Sequence, residues 1–296
     1  LMIKTEIDVF SIIRLEVEKL KKLGFITASL DCRLLLSETL EKSNPVYTHE
    51  KVNISENQII NFQTLVKKRQ RGKPVSRILN KRNFWKSEFI IDEETLDPRP
   101  DSEILIEAVL EHFSNNKELL KILDLGSGSG CLGLSLLEEY EGSTVSFVDV
   151  SKKSLKIVKK NALKLNLKGQ LKYINLDWHT DDWDTKLLNL EKNKKFDIIV
   201  TNPPYIPSND INFLEIEVRD YDPTLALDGG EDGLDAYRSI IPRFKNLLKP
   251  NGKIFVEFGK GQENLVAEIG FQHGLFPIGY KKDLSDITRV IIFNVK

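Results

Sequence analysis

Cysteine, histidine and methionine are scarce in this chain of 296 residues, which contains two, four and one of them. Cys32 and Cys131 are far apart, so their spacing matches neither a metal cluster nor a disulfide framework. The four histidines are scattered and show no ligand spacing, and we therefore expect no metal site. Scarce cysteine is typical of a reducing compartment, which predicts a cytoplasmic location.

Long apolar runs are also missing from the sequence. No segment approaches the roughly 18 uninterrupted apolar residues that a membrane helix needs, and no signal peptide is visible, so we expect no membrane association. The chain stops directly after a strand-like segment, which leaves open whether a further domain follows Lys296.

Net charge is nearly absent, because 43 Lys and Arg residues oppose 44 Asp and Glu residues, giving 43 − 44 = −1. Such a balance is not typical of a nucleic-acid-binding protein, and we do not expect nucleic acid to be required. The balance conceals an asymmetry. Residues 1–95 carry 17 basic and 13 acidic side chains (17 − 13 = +4), and the remainder carries 26 and 31 (26 − 31 = −5).

A basic stretch without any acidic residue runs from Lys67 to Lys86. It can be a solvated helix end, where cations interact favourably with the helix dipole, or a docking surface for a protein or nucleic-acid partner. The charge pattern leaves both interpretations open. The nine basic residues are Lys67, Lys68, Arg69, Arg71, Lys73, Arg77, Lys81, Arg82 and Lys86.

The pattern of apolar residues changes near residue 95. The first part has helical spacing, and Ser55-Glu56-Asn57-Gln58 is a capping-box sequence that starts one helix. From about residue 121, short apolar runs alternate with helix-period segments, which predicts an α/β domain with a parallel sheet covered by helices on both faces. Residues 276–280 and 288–295 are expected to form a closing antiparallel hairpin. We predict an N-terminal helical domain at 1–82, a β-hairpin linker at 83–98 and a catalytic domain at 99–296.

A glycine-rich turn, Gly126-Ser127-Gly128-Ser129-Gly130, follows a predicted strand. Glycine lets the main chain turn tightly and touch a cofactor, and free N–H groups at the start of the next helix suit an anionic or carboxylate group. Asp124 precedes the turn, where it would repel a pyrophosphate but can hold the ammonium group of S-adenosylmethionine. The alternative is that Asp124 only caps the turn.

Further polar and aromatic residues follow the next two strands. Asp149 can accept both ribose hydroxyls of a nucleoside cofactor. Asp177 can accept from an adenine amine, and Trp178 offers a flat face for the ring, although a single tryptophan is as often a packing residue. NAD enzymes share the ribose acid, so Asp124 is the residue that favours S-adenosylmethionine over NAD.

The most specific motif is Asn202-Pro203-Pro204-Tyr205, which follows a buried strand. Two prolines alone indicate a rigid turn, but they do not explain the flanking Asn and Tyr at the carboxyl end of a central strand, where open α/β sheets bind ligands. The Asn202 side-chain carbonyl and the Pro203 main-chain carbonyl can both accept from a planar NH₂ group. Tyr205 supplies an aromatic wall for a planar substrate group.

Together these motifs resemble the HemK/PrmC family, which methylates the glutamine of the Gly-Gly-Gln motif in class 1 peptide chain release factors. The resemblance covers nearly the whole chain and includes Gly72-Lys73-Pro74, Asn83-Phe84-Trp85, residues 95–103, Tyr221-Asp222-Pro223 and residues 226–234. It implies a Rossmann-like class I S-adenosylmethionine-dependent methyltransferase domain, with a seven-stranded, mostly parallel sheet and an antiparallel C-terminal hairpin, preceded by a small helical domain.

The resemblance also implies roles for individual residues. The cofactor would contact Asp124, Gly126, Ser127, Gly128, Ser129, Gly130, Asp149, Asp177, Trp178 and Asn202. The catalytic residues Asn202, Pro203, Pro204 and Tyr205 would hold the glutamine amide, with Phe84 and Arg99 lining or supporting the substrate site. The expected partner is a class 1 release factor, and the expected product is S-adenosylhomocysteine.

Two other functions are compatible with parts of this pattern. Asn-Pro-Pro-Tyr serves the exocyclic amine of adenine equally well, so a DNA or RNA adenine methyltransferase is the alternative, disfavoured by the lack of a basic recognition domain. A non-catalytic module that has kept only the fold is disfavoured by the intact motifs. The sequence does not indicate the preferred release factor, the oligomeric state or the role of Arg289.

Overall fold

The computed structural model describes residues 5–114 and 119–295, so Lys296 lies outside the described residues. The chain divides into two compact units. One contains the described residues up to Asn80 together with Ile216–Tyr221, and the other contains Lys81–Glu215 and the chain from Asp222 onward. The division into domains at 82/83 and 98/99 stays a prediction.

Strands and helices are numbered along the chain. The strands are β1 (Thr5–Asp8), β2 (Lys51–Ile54), β3 (Lys81–Phe84), β4 (Ser87–Ile90), β5 (Lys121–Leu125), β6 (Thr144–Asp149), β7 (Gln170–Asn175), β8 (Phe196–Thr201), β9 (Leu248–Glu257), β10 (Leu275–Lys282) and β11 (Thr288–Val295). The helices are α1 (Val9–Lys22), α2 (Ala28–Thr39), α3 (Glu56–Gln70), α4 (Val75–Leu79), α5 (Glu103–His112), α6 (Cys131–Glu139), α7 (Lys152–Leu165), α8 (Trp183–Leu190), α9 (Ile216–Arg219), α10 (Asp235–Ile240), α11 (Phe244–Leu247) and α12 (Glu263–Gln272).

The first unit is a small helical body in which α1, α2 and α3 bury one apolar face each. Ser55 accepts from the Gln58 main-chain N–H, and the Gln58 side chain accepts from the Ser55 N–H at 3.0 Å. The predicted capping box is therefore confirmed. It satisfies N–H groups that the first helical turn cannot pair internally.

The segment Ile216–Tyr221 belongs to this first unit although it is distant in sequence. The side chain of Arg69, only 4% exposed, donates to Asp31 at 2.6 Å and to Glu217 at 2.7 Å. Ile216 occupies the space beside Gly72, where a Cβ would come within 2.9 Å of the isoleucine. Sequence patterns do not predict this association, because it joins residues 148 positions apart.

The basic stretch is accordingly not one continuous surface. Arg69 and Arg77 are buried, with 3% and 4% of their surface exposed. Arg82 is half-buried and donates to the Pro98 carbonyl at 3.1 Å. Lys67, Lys68 and Arg71 are exposed at the end of α3 and are available to a partner, whereas Lys86 is exposed but pairs with Glu139 at 2.6 Å.

Seven strands of the described second unit form one sheet in the order β10-β11-β9-β8-β5-β6-β7. Strands β9, β8, β5, β6 and β7 are parallel to one another, whereas β11 is antiparallel to both β9 and β10. The predicted fold, with a mostly parallel sheet and an antiparallel C-terminal hairpin, is confirmed.

Apolar residues cover both faces of this sheet. Along β5, Ile122 faces one core cluster, and Leu123 and Leu125 face the other. Every residue of β5 is buried, as is typical of a central parallel strand. Because the faces are filled by packing, the polar groups available for chemistry gather where the strands end.

The hairpin of β3 and β4 turns at Trp85, whose φ is 54°, and Lys86. Phe84 and Phe89 meet edge to face in its buried side, with ring centroids 6.2 Å apart. Residues 91–98 contain no strand, so the paired region begins and ends earlier in the sequence than the expected linker. Among the described helices, none combines the length and apolar character needed to cross a membrane.

Candidate active site

The carboxyl ends of β5, β6 and β8 are tied together by hydrogen bonds. Gly126 and Ser127 donate their main-chain N–H groups to the Val148 carbonyl at 2.8 and 3.0 Å. The Thr201 hydroxyl donates to the Leu125 carbonyl at 2.8 Å. These bonds bring the glycine-rich turn next to the residues that follow β8, where open α/β sheets bind their ligands.

Asp149, the last residue of β6, holds the glycine-rich turn from the other side. Its carboxylate accepts from the Gly128 N–H at 2.9 Å and from the Ser151 N–H at 2.8 Å. Burial raises the pKa of Asp149, while the two main-chain N–H groups oppose that rise. Each carboxylate oxygen accepts one of these bonds and retains a lone pair for a ligand hydroxyl.

Trp178 follows β7, and its indole lies against Gly126. A Cβ at Gly126, whose φ is +76°, would come within 3.0 Å of the ring, so the close approach requires glycine. Gly128, by contrast, borders open space, because among the described residues other than its two chain neighbours no atom lies within 4 Å of its ideal Cβ. Asp177 is exposed, and its side chain accepts from the His179 N–H at 2.9 Å.

Asp124 lies deeper than the other polar residues and is only 1% exposed. One carboxylate oxygen accepts from the Gly133 N–H at 2.9 Å, and the other has no hydrogen-bond partner within the described part of the chain. Burial raises the pKa of Asp124 to about 7. The side chain supports the start of α6 and leaves one oxygen unsatisfied.

These residues fit S-adenosylmethionine. A nucleoside with a cationic amino-acid tail needs a flat wall, an acceptor for ribose hydroxyls and an acceptor for the ammonium group. The indole of Trp178 beside Gly126, the Asp149 carboxylate and the unsatisfied oxygen of Asp124 provide these three features. The hydroxyls of Ser127 and Ser129 are likewise buried and unsatisfied among the described residues.

The Asn-Pro-Pro-Tyr segment begins directly after β8. Asn202 is half-buried, and its amide NH₂ donates to the Ser102 hydroxyl at 3.1 Å. Pro203 is buried, and Pro204 and Tyr205 are half-buried. A cavity of about 410 Å³ opens beside Pro204 and is lined in part by Leu225, Asp228 and Asp235.

Tyr205 is fixed by residues from later in the chain. Its main-chain carbonyl accepts from the Gln262 side chain at 3.0 Å. Gly233, with a φ of +77°, approaches so closely that a Cβ would be 2.4 Å from the same carbonyl. Burial raises the pKa of the Tyr205 phenol, so the side chain remains an uncharged aromatic wall.

Phe84 and Arg99, the two residues expected to line or support the substrate site, lie in different surroundings. Phe84 is 1% exposed in the core, so it can support the site through packing but offers no surface to a substrate. The side chain of Arg99, by contrast, is partly exposed and pairs with Asp222. It also acts electrostatically on Tyr205. The burial of Phe84 favours the supporting role over the lining role, and both assignments stay predictions.

Sequence reasoning missed several residues around Asn202. Ser102, Glu257 and Arg289 converge on it or on its neighbours, and Arg289 donates to Asp283 at 2.8 Å. The sequence does contain a pattern that points to Glu257, because an acidic residue there follows the apolar run Ile254-Phe255-Val256 at the end of a strand. In the described ranges, no cluster of three or more His, Cys, Asp or Glu residues is arranged to hold a metal ion.

The sheet order and the site at its carboxyl edge define a class I S-adenosylmethionine-dependent methyltransferase. Two family profiles match the sequence: the methyltransferase small domain over residues 99–214, and the PrmC N-terminal domain over residues 13–79.

Similar proteins extend the match over most of the chain. A release factor glutamine methyltransferase of Rhodospirillum rubrum is 38% identical, with 93% of this chain and 81% of the relative covered. One of Caulobacter vibrioides is 34% identical, with 93% and 92% covered. A bifunctional methyltransferase of Rickettsia conorii is 33% identical, and this chain spans 56% of its length. The chain belongs to the release factor glutamine methyltransferase family.

Proposed function

We propose that this protein transfers a methyl group from S-adenosylmethionine to the side-chain amide nitrogen of the glutamine in the Gly-Gly-Gln motif of class 1 peptide chain release factors. The observation that carries the proposal is the Asn202–Tyr205 segment at the end of β8, joined to the glycine-rich turn through Thr201 and Leu125. The names of the similar proteins support the same substrate.

The cofactor would be held by Asp124, by Asp149, by Trp178 and by the main chain of the glycine-rich turn. When bound, S-adenosylmethionine supplies an electrophilic methyl group on a sulfonium. Asp149 is already oriented by the Gly128 and Ser151 N–H groups, so no further ordering of its side chain is required.

Asn202 and Pro203 would bind the glutamine amide. Their carbonyl oxygens can each accept one N–H of the substrate NH₂ group. An amide nitrogen is a poor nucleophile because its lone pair is delocalised, and acceptors favour the state in which it becomes tetrahedral and positive. The acceptors therefore stabilise the transition state more than the planar ground state.

Tyr205 would pack against the planar amide and limit its movement. The segment is rigid because two prolines restrict φ and because Gln262 binds the Tyr205 carbonyl. Positioning of this kind lowers the barrier by removing the entropy cost of bringing the reactants together. No general base is needed before transfer, since the cationic product can lose its proton to water, and S-adenosylhomocysteine is the expected second product.

The test is transfer of radiolabelled methyl groups to a purified class 1 release factor, to its Gly-Gly-Gln variant in which Gln is replaced by Ala, and to adenine-containing DNA and RNA. We expect label on the wild-type factor only. Label that survives the Gln→Ala change contradicts the proposal, and label on nucleic acid alone establishes an adenine methyltransferase.

Absence of label on every substrate would favour a non-catalytic module. The matched control is Asn202→Ala, which should abolish transfer to the release factor. A cytoplasmic location, where release factors act, is also proposed, and both Cys32 and Cys131 are free thiols.

A further inference from the structure

Glu257, the last residue of β9, lies beside Asn202 inside the second unit. Strands β8 and β9 are parallel, with Thr201 opposite Val256, so the residues that follow in each strand emerge side by side. Glu257 is 2% exposed, and its Oε2 atom has no hydrogen-bond partner among the described residues. A carboxyl group buried next to a catalytic amide needs an explanation, because burying it without full pairing is costly.

Hydrogen bonds determine which way the Asn202 amide faces. Hydrogen bonding by the side chains of Ser102 and Asn202 lowers the pKa of the Glu257 carboxyl and so opposes the effect of its burial. Asn202 Nδ2 also donates to Ser102 Oγ at 3.1 Å. An ionised carboxylate only accepts, so the NH₂ end of Asn202 must be the end directed at Glu257 and Ser102. The opposite end, Oδ1, is then the one left for a ligand.

We propose that Glu257 and Ser102 are positioning residues that hold the Asn202 amide with its NH₂ group toward the protein, so that Oδ1 is presented to the substrate nitrogen. With the amide turned over, NH₂ would face the NH₂ group of the substrate, and two donors would meet without an acceptor. The catalytic consequence rests on the proposed function, whereas the orientation of Asn202 does not.

Protonation of Glu257 is expected to weaken this arrangement. Burial raises the pKa of the Glu257 carboxyl to about 7, and the hydrogen bonds from Ser102 and Asn202 and the charge of Arg289 oppose that rise. A protonated Glu257 carries an O–H donor and accepts less strongly from Asn202. The titratable or charged groups that face Glu257 from the surrounding elements are Asp101, Cys131, Tyr205, Tyr237 and Arg289.

The first test observes Asn202 directly by nuclear magnetic resonance of its side-chain ¹⁵NH₂ group, assigned by comparison with Asn202→Asp. We expect this resonance to titrate with a midpoint near the Glu257 pKa of about 7 in the wild-type protein and not in Glu257→Gln. Glu268→Gln, the same change at an exposed position of α12, should keep the titration. An Asn202 resonance that is independent of pH in the wild-type protein overturns the proposal.

The second test is kinetic. Glu257→Gln should lower kcat about tenfold or more, while KM for the release factor and the affinity for the methyl donor stay within about twofold. In the wild-type protein we expect kcat to decline below pH about 7, where Glu257 becomes protonated. This decline should be absent in Glu257→Gln. A kcat near wild type at high pH, or a loss confined to donor affinity, contradicts the positioning role.

Ser102→Ala keeps the proposal testable if Glu257→Gln does not fold. It removes one hydroxyl from the group around Asn202, and we expect a smaller loss of kcat together with a shifted Asn202 resonance. Wild-type kcat and an unchanged resonance in this variant would overturn the proposal. If the wild-type protein methylates no glutamine, the proposed function fails, and the resonance titration still decides the orientation of Asn202.

Discussion

The indole of Trp178 lies so close to Gly126 that a Cβ at that glycine would stand 3.0 Å from the ring. Gly126 also has a main-chain φ of +76°, a conformation that residues other than glycine rarely adopt. The strand-to-helix turn and the aromatic residue after β7 therefore form one continuous surface.

Gly126→Ala should weaken binding of S-adenosylmethionine by about tenfold or more, because the added methyl group strains the turn and displaces the indole. Isothermal titration calorimetry measures the dissociation constant. Gly274→Ala is the matched control, since Gly274 has a similar φ of +75° but meets only the end of the Lys245 side chain at 3.7 Å. Equal donor affinity in the two variants would show that the surface at Gly126 does not bind the donor.

Asp149→Asn should also reduce donor affinity by about tenfold, because the amide can replace only one of two acceptor oxygens. With one oxygen engaged by the Gly128 or Ser151 N–H, less acceptor capacity remains for ribose hydroxyls. Asp177→Asn makes the same change at an exposed carboxylate and should have the smaller effect. A larger effect at Asp177 than at Asp149 would reverse the assignment of the ribose acceptor. Donor titrations followed by fluorescence give both constants.

Asp124 should make the stability of the protein depend on pH. Burial raises its pKa from 3.8 to about 7, so the folded state holds the proton more tightly than the unfolded state. Its favourable contribution is complete below pH about 4 and is lost as the pH rises to about 7. Asn cannot ionise, so the free energy of unfolding of Asp124→Asn minus that of the wild type should increase over this range, by up to roughly 4 kcal/mol. Urea titrations at several pH values measure the difference.

A difference between Asp124→Asn and the wild type that does not change with pH would mean that Asp124 does not titrate in this range. The same variant tests the ammonium contact. Donor affinity of the wild type should increase as the pH rises through about 7 and the carboxylate forms, and that increase should be smaller in Asp124→Asn.

Arg69→Met should destabilise the first unit by roughly 3–5 kcal/mol, because it leaves the buried carboxylate of Asp31 without its partner. Denaturation followed by far-ultraviolet circular dichroism reports the loss of helix. Lys68→Met, an exposed change one residue earlier on the same helix, should alter the free energy of unfolding by less than about 0.5 kcal/mol. Similar effects in both variants would contradict a structural role for Arg69.

The exposed cations at the end of α3 test the docking hypothesis for the basic stretch. Changing Lys67, Lys68 and Arg71 to Glu should raise KM for the release factor at least about fivefold and reduce its salt dependence, while donor affinity and kcat stay unchanged. The control changes three of the exposed lysines of α7, Lys152, Lys156 and Lys160, to Glu, which alters the net charge equally. Equal KM values in the two variants would exclude a specific docking role.

Local patterns in the sequence predicted much of the second unit. A short apolar run followed by glycine, Asp or Asn indicates a parallel strand with a ligand-binding end, and this pattern located the glycine-rich turn, Asp149 and Asn202. The apolar pattern of residues 276–295 likewise predicted the final hairpin, whose strands pair from Leu275 with Val295. The predictions of strands and of the final hairpin succeed because periodicity and turn chemistry act over a few neighbouring residues.

The residues around Asn202 depend on contacts between distant parts of the chain. Ser102 is 100 positions from Asn202, and Gln262 is 57 positions from the Tyr205 carbonyl that it binds. Glu257 becomes a neighbour of Asn202 only through the pairing of β8 with β9. No periodicity or spacing rule encodes such a contact, because it results from strand order and packing.

Amino-acid order alone therefore established the kind of fold, the glycine-rich turn and the Asn-Pro-Pro-Tyr segment, since each is a property of consecutive residues. Tertiary structure decided that Phe84 is a core residue, that Arg69 is buried with Asp31 and Glu217, and that the NH₂ end of Asn202 donates to Ser102 beside the buried Glu257. Burial and hydrogen-bond direction depend on which distant elements pack together, and only the folded chain determines that.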